Sequence, residues 1–287
     1  MYQVARATIT AAPQSSAGVN AALTFITPSD TKPVFESSAI TGGAPRVLFD
    51  TERHTVAIHD MRPLADAFSL DREGFELLHH RSVADLYDDD AVEKVYYPEI
   101  EALLRSVTGA SRVVIFDATR RSDAGAGAKN RDGLRGPASR VHVDYTAKSG
   151  PQRVKDLMGE AEAARLAASG ARIIQINVWR PIRGPVQRSP LALADASSVA
   201  PEDLVATDQV FPDRVGEIYH LAHNPSQRWY YAPLMTPDEV LLIKGWDSRD
   251  DGRARFTPHG AFDLPDTPKD AAPRESIEVR TLVVIEG

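Results

Sequence analysis

The chain has 287 residues, 43% of them hydrophobic, with 33 Lys and Arg against 40 Asp and Glu, which gives a formal net charge of −7. These values are typical of a soluble globular protein, and the negative charge argues against nucleic-acid or polybasic membrane binding, so we expect a small-molecule substrate. Because there is no cysteine, disulfides, thiolate metal sites and cysteine nucleophiles are excluded, and any metal must be held by His, Asp and Glu.

The N-terminal sequence lacks the apolar stretch of a secretion signal, and no run of about 18 apolar residues occurs in the chain. We therefore expect a cytoplasmic protein without a membrane span. The sequence leaves open whether the chain forms a homo-oligomer or works with a pathway partner protein.

Periodicity predicts helices mainly before residue 110 and strands mainly after it. One helix is expected over 88–108, with Pro98 dividing it and Gly109 ending it, and a second over 151–169, ended by Gly170. Eight short β-branched or aromatic runs predict an antiparallel sandwich or barrel. We expect one domain over 1–287, in which an N-terminal elaboration (1–110) precedes a β core (111–287). The Gly-rich stretch 121–138 has little that could anchor it in a core and is interpreted as a lid.

A metal site is suggested by Arg140-Val141-His142-Val143-Asp144-Tyr145. Side chains alternate along a strand, so His142 and Asp144 point to one face with Arg140 and can chelate one ion. With 8 His and 40 acidic residues, about one H-x-[DE] is expected by chance, so the motif alone is weak evidence.

A facial site with two histidines and one carboxylate, as in non-haem Fe(II) oxygenases, requires one more ligand. Of His220 and His223, which are three residues apart, at most one can face inward on a strand. His259 is the better candidate because Arg274 and Ser276 follow it. Their period-2 spacing places a guanidinium and a hydroxyl on one face, a fork that can bind the distal carboxylate of 2-oxoglutarate.

Two further strands carry polar residues that could contact a ligand. In ARIIQINVW, Gln175, Asn177 and Trp179 share one face, which either lines a pocket or faces solvent. In RWYY, Arg228 and Tyr230 could contact substrate, although aromatic clusters on strands more often belong to a core.

The sequence resembles a group of oxidoreductases that includes the smaller protein of the bacterial 7-alpha-cephem methoxylase pair, fungal AsaB-like hydroxylase/desaturases and a fungal gibberellin desaturase. The resemblance covers most of the chain and is carried by long, unusual segments: FSLDREGFELL (68–78), YYPEIEALLRSVTGASRVVIFDATRRS (96–122), RVHVDYT (140–146), INVWRPIRGPVQRSPLALAD (176–195), RWYYAPLMTPDEVLLIKGWDS (228–248) and PHGAFDLPDTPKDAAPRESIEVR (258–280). These proteins are similar to Fe(II)/2-oxoglutarate-dependent dioxygenases, so the resemblance implies an α+β, mainly β, double-stranded β-helix (a jelly-roll or cupin-like barrel) with flanking N-terminal helices.

The resemblance also implies roles for individual residues. It makes the iron ligands His142, Asp144 and His259. It makes Arg274 and Ser276 the anchor for 2-oxoglutarate, and it favours a pocket position beside the co-substrate for Asn177. Substrate contacts are assigned to Arg140, Tyr145, Arg228 and Tyr230. Two departures from the family pattern, Gln227 where many relatives have His and Tyr145-Thr146 where Gln-Ser is frequent, affect the expected substrate pocket and no proposed ligand.

The function implied is an Fe(II)- and 2-oxoglutarate-dependent dioxygenase that uses dioxygen and a ferryl species to hydroxylate or desaturate a natural-product or amino-acid-like molecule. Two alternatives remain open at this point. The chain could be an accessory substrate-binding subunit of a two-protein system. It could also be a metal-dependent, cupin-like enzyme in which Arg274 and Ser276 bind a substrate carboxylate and 2-oxoglutarate is not used.

Overall fold

The computed structural model describes residues 18–41, 46–125, 127–130 and 133–286. Most of its strands belong to two large sheets. In chain order the strands are β1 (Val19–Ile26), β2 (Val34–Glu36), β3 (Arg46–Leu48), β4 (Thr51–Asp60), β5 (Phe75–His79), β6 (Arg112–Ser122), β7 (Ala128–Asn130), β8 (Gly133–Arg135), β9 (His142–Val143), β10 (Arg172–Arg183), β11 (Leu191–Ala194), β12 (Leu204–Val210), β13 (Val215–Leu221), β14 (Trp229–Tyr231), β15 (Glu239–Asp247), β16 (His259–Ala261) and β17 (Glu275–Ile285).

The helices are short and fall in three places along the chain. They are α1 (Ser38–Thr41), α2 (Asp89–Ala91), α3 (Tyr97–Thr108), α4 (Ser149–Met158) and α5 (Glu160–Ala168), with a π-helical turn (Val92–Tyr96) between α2 and α3 and 3-10 turns at Arg62–Ala67, Ala196–Ser198 and Pro201–Asp203.

The predicted helix over 88–108 is continuous through Pro98. The π turn precedes this proline, and the Tyr97 N–H donates to the carbonyl of Val92, five residues back. Because the hydrogen-bond pattern is already irregular there, the missing N–H of Pro98 does not separate two helices. The helix predicted over 151–169 is instead two helices, because Gly159 between them has φ +84°, a left-handed conformation that ends α4.

The five-stranded sheet has the order β5-β15-β10-β17-β6, and all its neighbouring strands are antiparallel. Its outer face packs under α3, where aliphatic side chains of β10 and β17 meet those of the helix: Ile174, Ile176, Val178, Ile277, Val279, Ile100, Leu103 and Leu104. Since this face takes the aliphatic residues of β10, the alternate residues Gln175, Asn177 and Trp179 face the interior of the protein.

The ten-stranded sheet has the order β1-β4-β14-β11-β16-β9-β13-β12-β2-β3. It curls so far that β1 approaches the segment before β9, where the Val141 N–H donates to the Thr24 carbonyl at 2.9 Å. Strands from the first 80 residues therefore complete both sheets. The expected division at residue 110 does not separate an elaboration from a β core, because β1, β4 and β5 are part of that core.

The two facing sheets confirm the predicted mainly β fold class, and its helices lie against the sheets. A buried cluster fills part of the space between the sheets, with Phe75, Trp179, Leu241 and Ile243 from one sheet and Leu193 from the other. Within the described ranges, no helix is long and apolar enough to cross a membrane.

Candidate metal and co-substrate site

His142 and His259 are brought together by strand pairing. They are direct cross-strand partners on β9 and β16, and their ring centroids are 4.7 Å apart. The Nδ1 of His142 lies 2.8 Å from the carbonyl oxygen of Arg140, and the Nδ1 of His259 lies 2.9 Å from that of Thr257. A carbonyl oxygen can only accept, so each Nδ1 carries a hydrogen, and in the neutral ring the lone pair is then on Nε2. Both rings are therefore in the tautomer that binds metal through Nε2.

Asp144 lies beside this pair, and its two oxygens have different surroundings. Oδ1 is 3.6 Å from the Nε2 of His142. Oδ2 accepts a 2.6 Å hydrogen bond from the Asn177 amide and a 3.2 Å contact from Arg280 Nε. The carboxylate is thus held from behind by one oxygen and presents the other to the histidines.

The charges of these groups suit a cation. Burial, with His259 alongside, lowers the pKa of His142 to about 4, so this ring is neutral at pH 7. Burial would raise the pKa of Asp144, but Arg280 and the two histidines outweigh it and hold the pKa of this carboxyl well below its usual range. Two imidazoles and one carboxylate form the donor set of non-haem iron sites, so these residues fit the metal that the family implies.

The side chains of His142, Asp144 and His259 lie close together, but they are not drawn in as ligands are around a bound metal ion. Adjacent ligands of a bound metal are roughly 3 Å apart, somewhat less than the separation of His142 and Asp144. In the part of the chain that the structure describes, no three His, Asp or Glu side chains reach the spacing of a closed metal centre. The metal-ligand assignment of His142, Asp144 and His259 therefore stays a prediction.

Arg274 and Ser276 are both buried at the start of β17, at 2% and 1% exposure. The guanidinium of Arg274 lies over the Trp179 ring, 5.8 Å from its centroid, and Nη1 donates to the Ser189 carbonyl at 3.2 Å. Its Nε and Nη2 have no partner in the structure. Burial, with Arg121 nearby, lowers the pKa of Arg274 to about 10, which still leaves it charged at pH 7. A buried cation with two unused N–H groups fits a carboxylate such as that of 2-oxoglutarate.

Asn177 is buried and bonded to Asp144, and its interior position agrees with the pocket interpretation of the polar β10 face. Its observed partner is a predicted metal ligand. The co-substrate contact suggested for Asn177 stays a prediction.

The four residues assigned to substrate lie in different surroundings. Arg140 is half-buried, with its guanidinium 5.4 Å from the Phe35 ring centroid and its Nε unpartnered. Tyr230 is aligned through Leu193 with His259 and so shares its inward face. It packs against Phe68 at 4.9 Å. These two remain candidates for substrate contact.

The structure does not bring Tyr145 and Arg228 to the histidine pair as substrate-binding groups. Tyr145 is buried in an apolar cluster with Trp246 and Leu282, where packing accounts for it. Arg228 is half exposed and bonded to Asp195 at 2.6 Å. The departure at Gln227 is likewise structural, because this side chain donates to Asp203 and to a backbone carbonyl.

Two residues near the site were not singled out by the sequence. His220 is the cross-strand partner of His142 on the other side, with its Nδ1 3.0 Å from the Thr207 hydroxyl. It is the inward member of its pair, whereas His223 stacks on His54 at 3.8 Å. Arg280, the second, could have been found by continuing the period-2 spacing of Arg274 and Ser276 along β17.

The stretch interpreted as a lid is partly anchored. Its first residues, 121 and 122, end β6, and a later part forms the β7–β8 hairpin. The side chain of Asn130 bonds to both the N–H and the carbonyl of Arg120, at 2.7 and 2.9 Å. An amide side chain thus attaches this stretch to β6, which its lack of apolar residues does not predict, and the lid interpretation stays a prediction.

The two facing sheets and the predicted donor set fit one class, the non-haem iron oxygenases. A family model described as "Oxidoreductase/YMDC permease-like domain" matches residues 23–284, and the chain belongs to this family. Among its relatives, the hydroxylase/desaturase efuI of Hormonema carpetanum is 35% identical, covering 86% of this chain and 88% of that protein. The Fe(II)/2-oxoglutarate-dependent dioxygenase nvfI of Aspergillus novofumigatus is 36% identical, covering 84% and 87%.

A solved structure of the iron and alpha-ketoglutarate-dependent endoperoxidase NvfI, described as having a different conformation, superposes with a TM-score of 0.82 at 31% identity, covering 95% of this chain and 100% of that one. The gibberellin cluster GA4 desaturase of Gibberella fujikuroi is 30% identical over 86% of this chain and 91% of that protein. These comparisons confirm the resemblance, the fold class and the oxidoreductase class predicted from the sequence. They also confirm Fe(II), 2-oxoglutarate and dioxygen as the cofactors that the family uses.

Proposed function

We propose that this chain is an Fe(II)/2-oxoglutarate-dependent oxygenase of the cytoplasm that hydroxylates or desaturates a small natural-product-like molecule, and that residues 1–287 work as one oxygenase domain. The proposal depends on two sets of residues, one from each of the facing sheets. Two histidines in the metal-binding tautomer lie beside an ionised carboxylate, and a buried arginine with two unused N–H groups lies on the facing sheet. A metal site alone would not require that arginine.

The residues divide the work of binding. His142, Asp144 and His259 would hold the iron, which uses dioxygen and 2-oxoglutarate to oxidise a substrate C–H bond, giving succinate and CO2. Arg274, with Ser276, would bind the far carboxylate of 2-oxoglutarate. Trp179 packs beneath this arginine and belongs to the apolar cluster between the sheets, so water is kept from that end of the site. Removal of water strengthens the ion pair that the arginine would form.

The substrate is expected to bind on the open side of the histidine pair. Arg140, two residues before His142, has a guanidinium that lies against Phe35 and an Nε without a partner. Such a group favours a substrate with a carboxylate or another oxygen acceptor. Tyr230 offers an aromatic surface on the same inward face.

The first test is spectroscopic. Fe(II) and 2-oxoglutarate are added anaerobically to the purified chain, and the weak visible charge-transfer band of the chelate is followed. We expect the band in the wild type and in His79→Ala, which removes an exposed histidine on β5, and its loss in His259→Ala. Absence of the band in the wild type would refute the proposal.

The second test separates an enzyme from an accessory subunit. The purified chain alone is incubated in air with Fe(II), 2-oxoglutarate and candidate substrates, and succinate is measured. Succinate formed with one substrate in step with its consumption supports an oxygenase. Turnover of a substrate without 2-oxoglutarate would favour the cupin-like alternative, and substrate binding with no succinate would favour the accessory role.

A further inference from the structure

A short chain of amide side chains leads away from Asp144 along the inner face of β10. The Asn177 amide nitrogen donates to Asp144 Oδ2 at 2.6 Å, and the Gln175 amide nitrogen donates to Asn177 Oδ1 at 2.5 Å. Gln175 and Asn177 are 1% and 0% exposed. All three groups are thus linked by short hydrogen bonds, and the two amides are fully buried.

The direction of these bonds is fixed by the carboxylate at one end. An ionised carboxylate only accepts, so Asn177 must present its NH2 group to Asp144 and its oxygen to Gln175. Gln175 must then donate, and its own Oε1 points away from the site. This oxygen is buried and has no hydrogen-bond partner.

Gly245, on the neighbouring strand β15, makes room for that oxygen. A Cβ placed on Gly245 would lie 1.8 Å from Gln175 Oε1 and 3.0 Å from Gln175 Cδ. The next nearest atom, Cδ2 of Tyr145, would be at an ordinary contact distance of 3.7 Å. Any side chain at position 245 would therefore collide with Gln175 and with nothing else nearby.

The far side of the carboxylate has a second support. Arg280 on β17 contacts Asp144 Oδ2 at 3.2 Å and also bonds to Asp117 at 2.7 Å and to Glu278 at 3.1 Å. Both supports, from β10 and from β17, reach the same oxygen. Neither reaches Oδ1, which faces His142.

We propose that Gly245, Gln175 and Asn177 form a positioning relay that sets which oxygen of Asp144 faces the histidines. The relay rests on the proposed function, because it matters only if Asp144 is a metal ligand. It assigns Asn177 to the carboxylate of this chain in place of the co-substrate. It also gives position 245, which touches neither metal nor substrate, an effect on metal affinity.

The test measures Co(II) binding by anaerobic visible titration, since Co(II) reports ligand geometry through its absorption bands and needs no turnover. Gly245→Ala is expected to bind Co(II) about 10-fold more weakly and with shifted bands. Removing residues that hydrogen-bond to metal ligands typically lowers metal affinity or activity by roughly 10- to 100-fold, and the expected loss lies within that range. Gly216→Ala is the matched control. It adds the same methyl group to a strand glycine whose nearest neighbour would be 3.7 Å from the new Cβ.

A double variant separates the relay from a general disturbance of the fold. Gln175→Ala removes the atoms that collide with position 245, so adding Gly245→Ala to it should weaken Co(II) binding no further. The relay would be overturned if Gly245→Ala bound Co(II) with the same affinity as the wild type. It would also be overturned if the double variant bound Co(II) more weakly than Gln175→Ala alone. Failure of the wild type itself to bind Co(II) would instead refute the proposed function, and the relay with it.

Discussion

The two sheets contribute to the site in different ways. The two predicted histidine ligands lie in the ten-stranded sheet, on strands of only two and three residues, β9 and β16, and Asp144 directly follows β9. The supports of Asp144 lie in the five-stranded sheet, on strands of twelve and eleven residues, β10 and β17, and Arg274 directly precedes β17. The histidines meet because their short strands are direct neighbours. The supporting groups meet because long strands keep a constant register.

The two sheets thus have different expected roles: one supplies the predicted histidine ligands, and the other supplies residues that hold Asp144 in place. The long strands are buried on both faces, one beneath α3 and one toward the site, so each inward polar group must find a partner inside the protein. Asn177 and Arg280 find Asp144, whereas Arg274 keeps two N–H groups without one. Under the proposed function, the five-stranded sheet would hold Asp144 in place and keep Arg274 for a bound carboxylate.

The largest expected effect is the loss of a ligand from the ten-stranded sheet. His259→Ala should abolish Fe(II) binding and reduce turnover by at least about 100-fold. Removing a residue that only hydrogen-bonds to a metal ligand already lowers metal affinity or activity by roughly 10- to 100-fold, and removing a ligand should have a larger effect. Metal content and succinate formation measure this. His79→Ala should behave as the wild type, and a His259→Ala protein that still binds Fe(II) tightly would exclude this histidine from the site.

The next largest effect should come from the arginine on the other sheet. Arg274→Ala should raise the KM for 2-oxoglutarate by about 100-fold, since hydrogen bonds to a charged group contribute roughly 1.5–3 kcal/mol. Fe(II) affinity should not change, because Arg274 lies on the opposite sheet from both histidines. Arg274→Lys should recover part of the loss, as it keeps the charge without the fork.

The control for this variant is Arg165→Ala, which removes an exposed arginine of α5. An unchanged KM for 2-oxoglutarate in Arg274→Ala would show that the co-substrate is bound elsewhere. A loss of Fe(II) binding in the same variant would show that the two sheets do not divide the work as described.

The outer face of the five-stranded sheet predicts a smaller, pH-dependent effect on stability. Arg180 lies over the Tyr96 ring and donates to His80 Nδ1 at 2.6 Å. Burial and the charge of Arg180 lower the pKa of His80 from 6.5 to about 4. As the pH falls, the unfolded chain takes up this proton first, so stability contributed by the neutral ring is lost between about pH 6.5 and 4.

The full shift would correspond to about 3 kcal/mol, and partial contact of His80 with solvent reduces the expected loss to about 1–2 kcal/mol. Urea unfolding at pH 7 and at pH 4.5 measures it. His80→Gln keeps an acceptor for Arg180 without a titrating group, and should flatten this part of the pH profile. A wild-type profile matching that of His80→Gln would mean that the ring remains solvated.

The sequence could predict what is local and repeated. H-x-D marks the predicted metal-binding segment because its two residues are separated by one position, and Arg274 with Ser276 shows the same period. The buried polar face of β10 was visible as alternation, but alternation alone could not choose between pocket and solvent. That choice depends on α3, which covers the aliphatic face.

What the sequence could not show depends on contacts between distant strands. Arg280 supports Asp144 across 136 positions of the chain, and no local pattern specifies that pairing. The sequence also gives no sign that position 245 requires glycine, because the space there is limited by the side chain of Gln175 on the neighbouring strand. The ion pair of Arg228 could not be predicted for the same reason, since its partner Asp195 lies 33 residues earlier.

The smallest expected effect lies in the helix that covers the five-stranded sheet. Asp88 accepts a 2.7 Å hydrogen bond from the Ala91 N–H and caps the helical segment that leads into α3. Asp88→Ala should lower the free energy of unfolding by about 1 kcal/mol, the usual cost of losing such a cap, and Asp88→Asn should recover most of it. Co(II) affinity should not change in either variant, because the ligands belong to the other sheet. Weaker Co(II) binding by Asp88→Ala would mean that the helix covering the five-stranded sheet affects metal affinity through β10. The two sheets would then not contribute separately to the site.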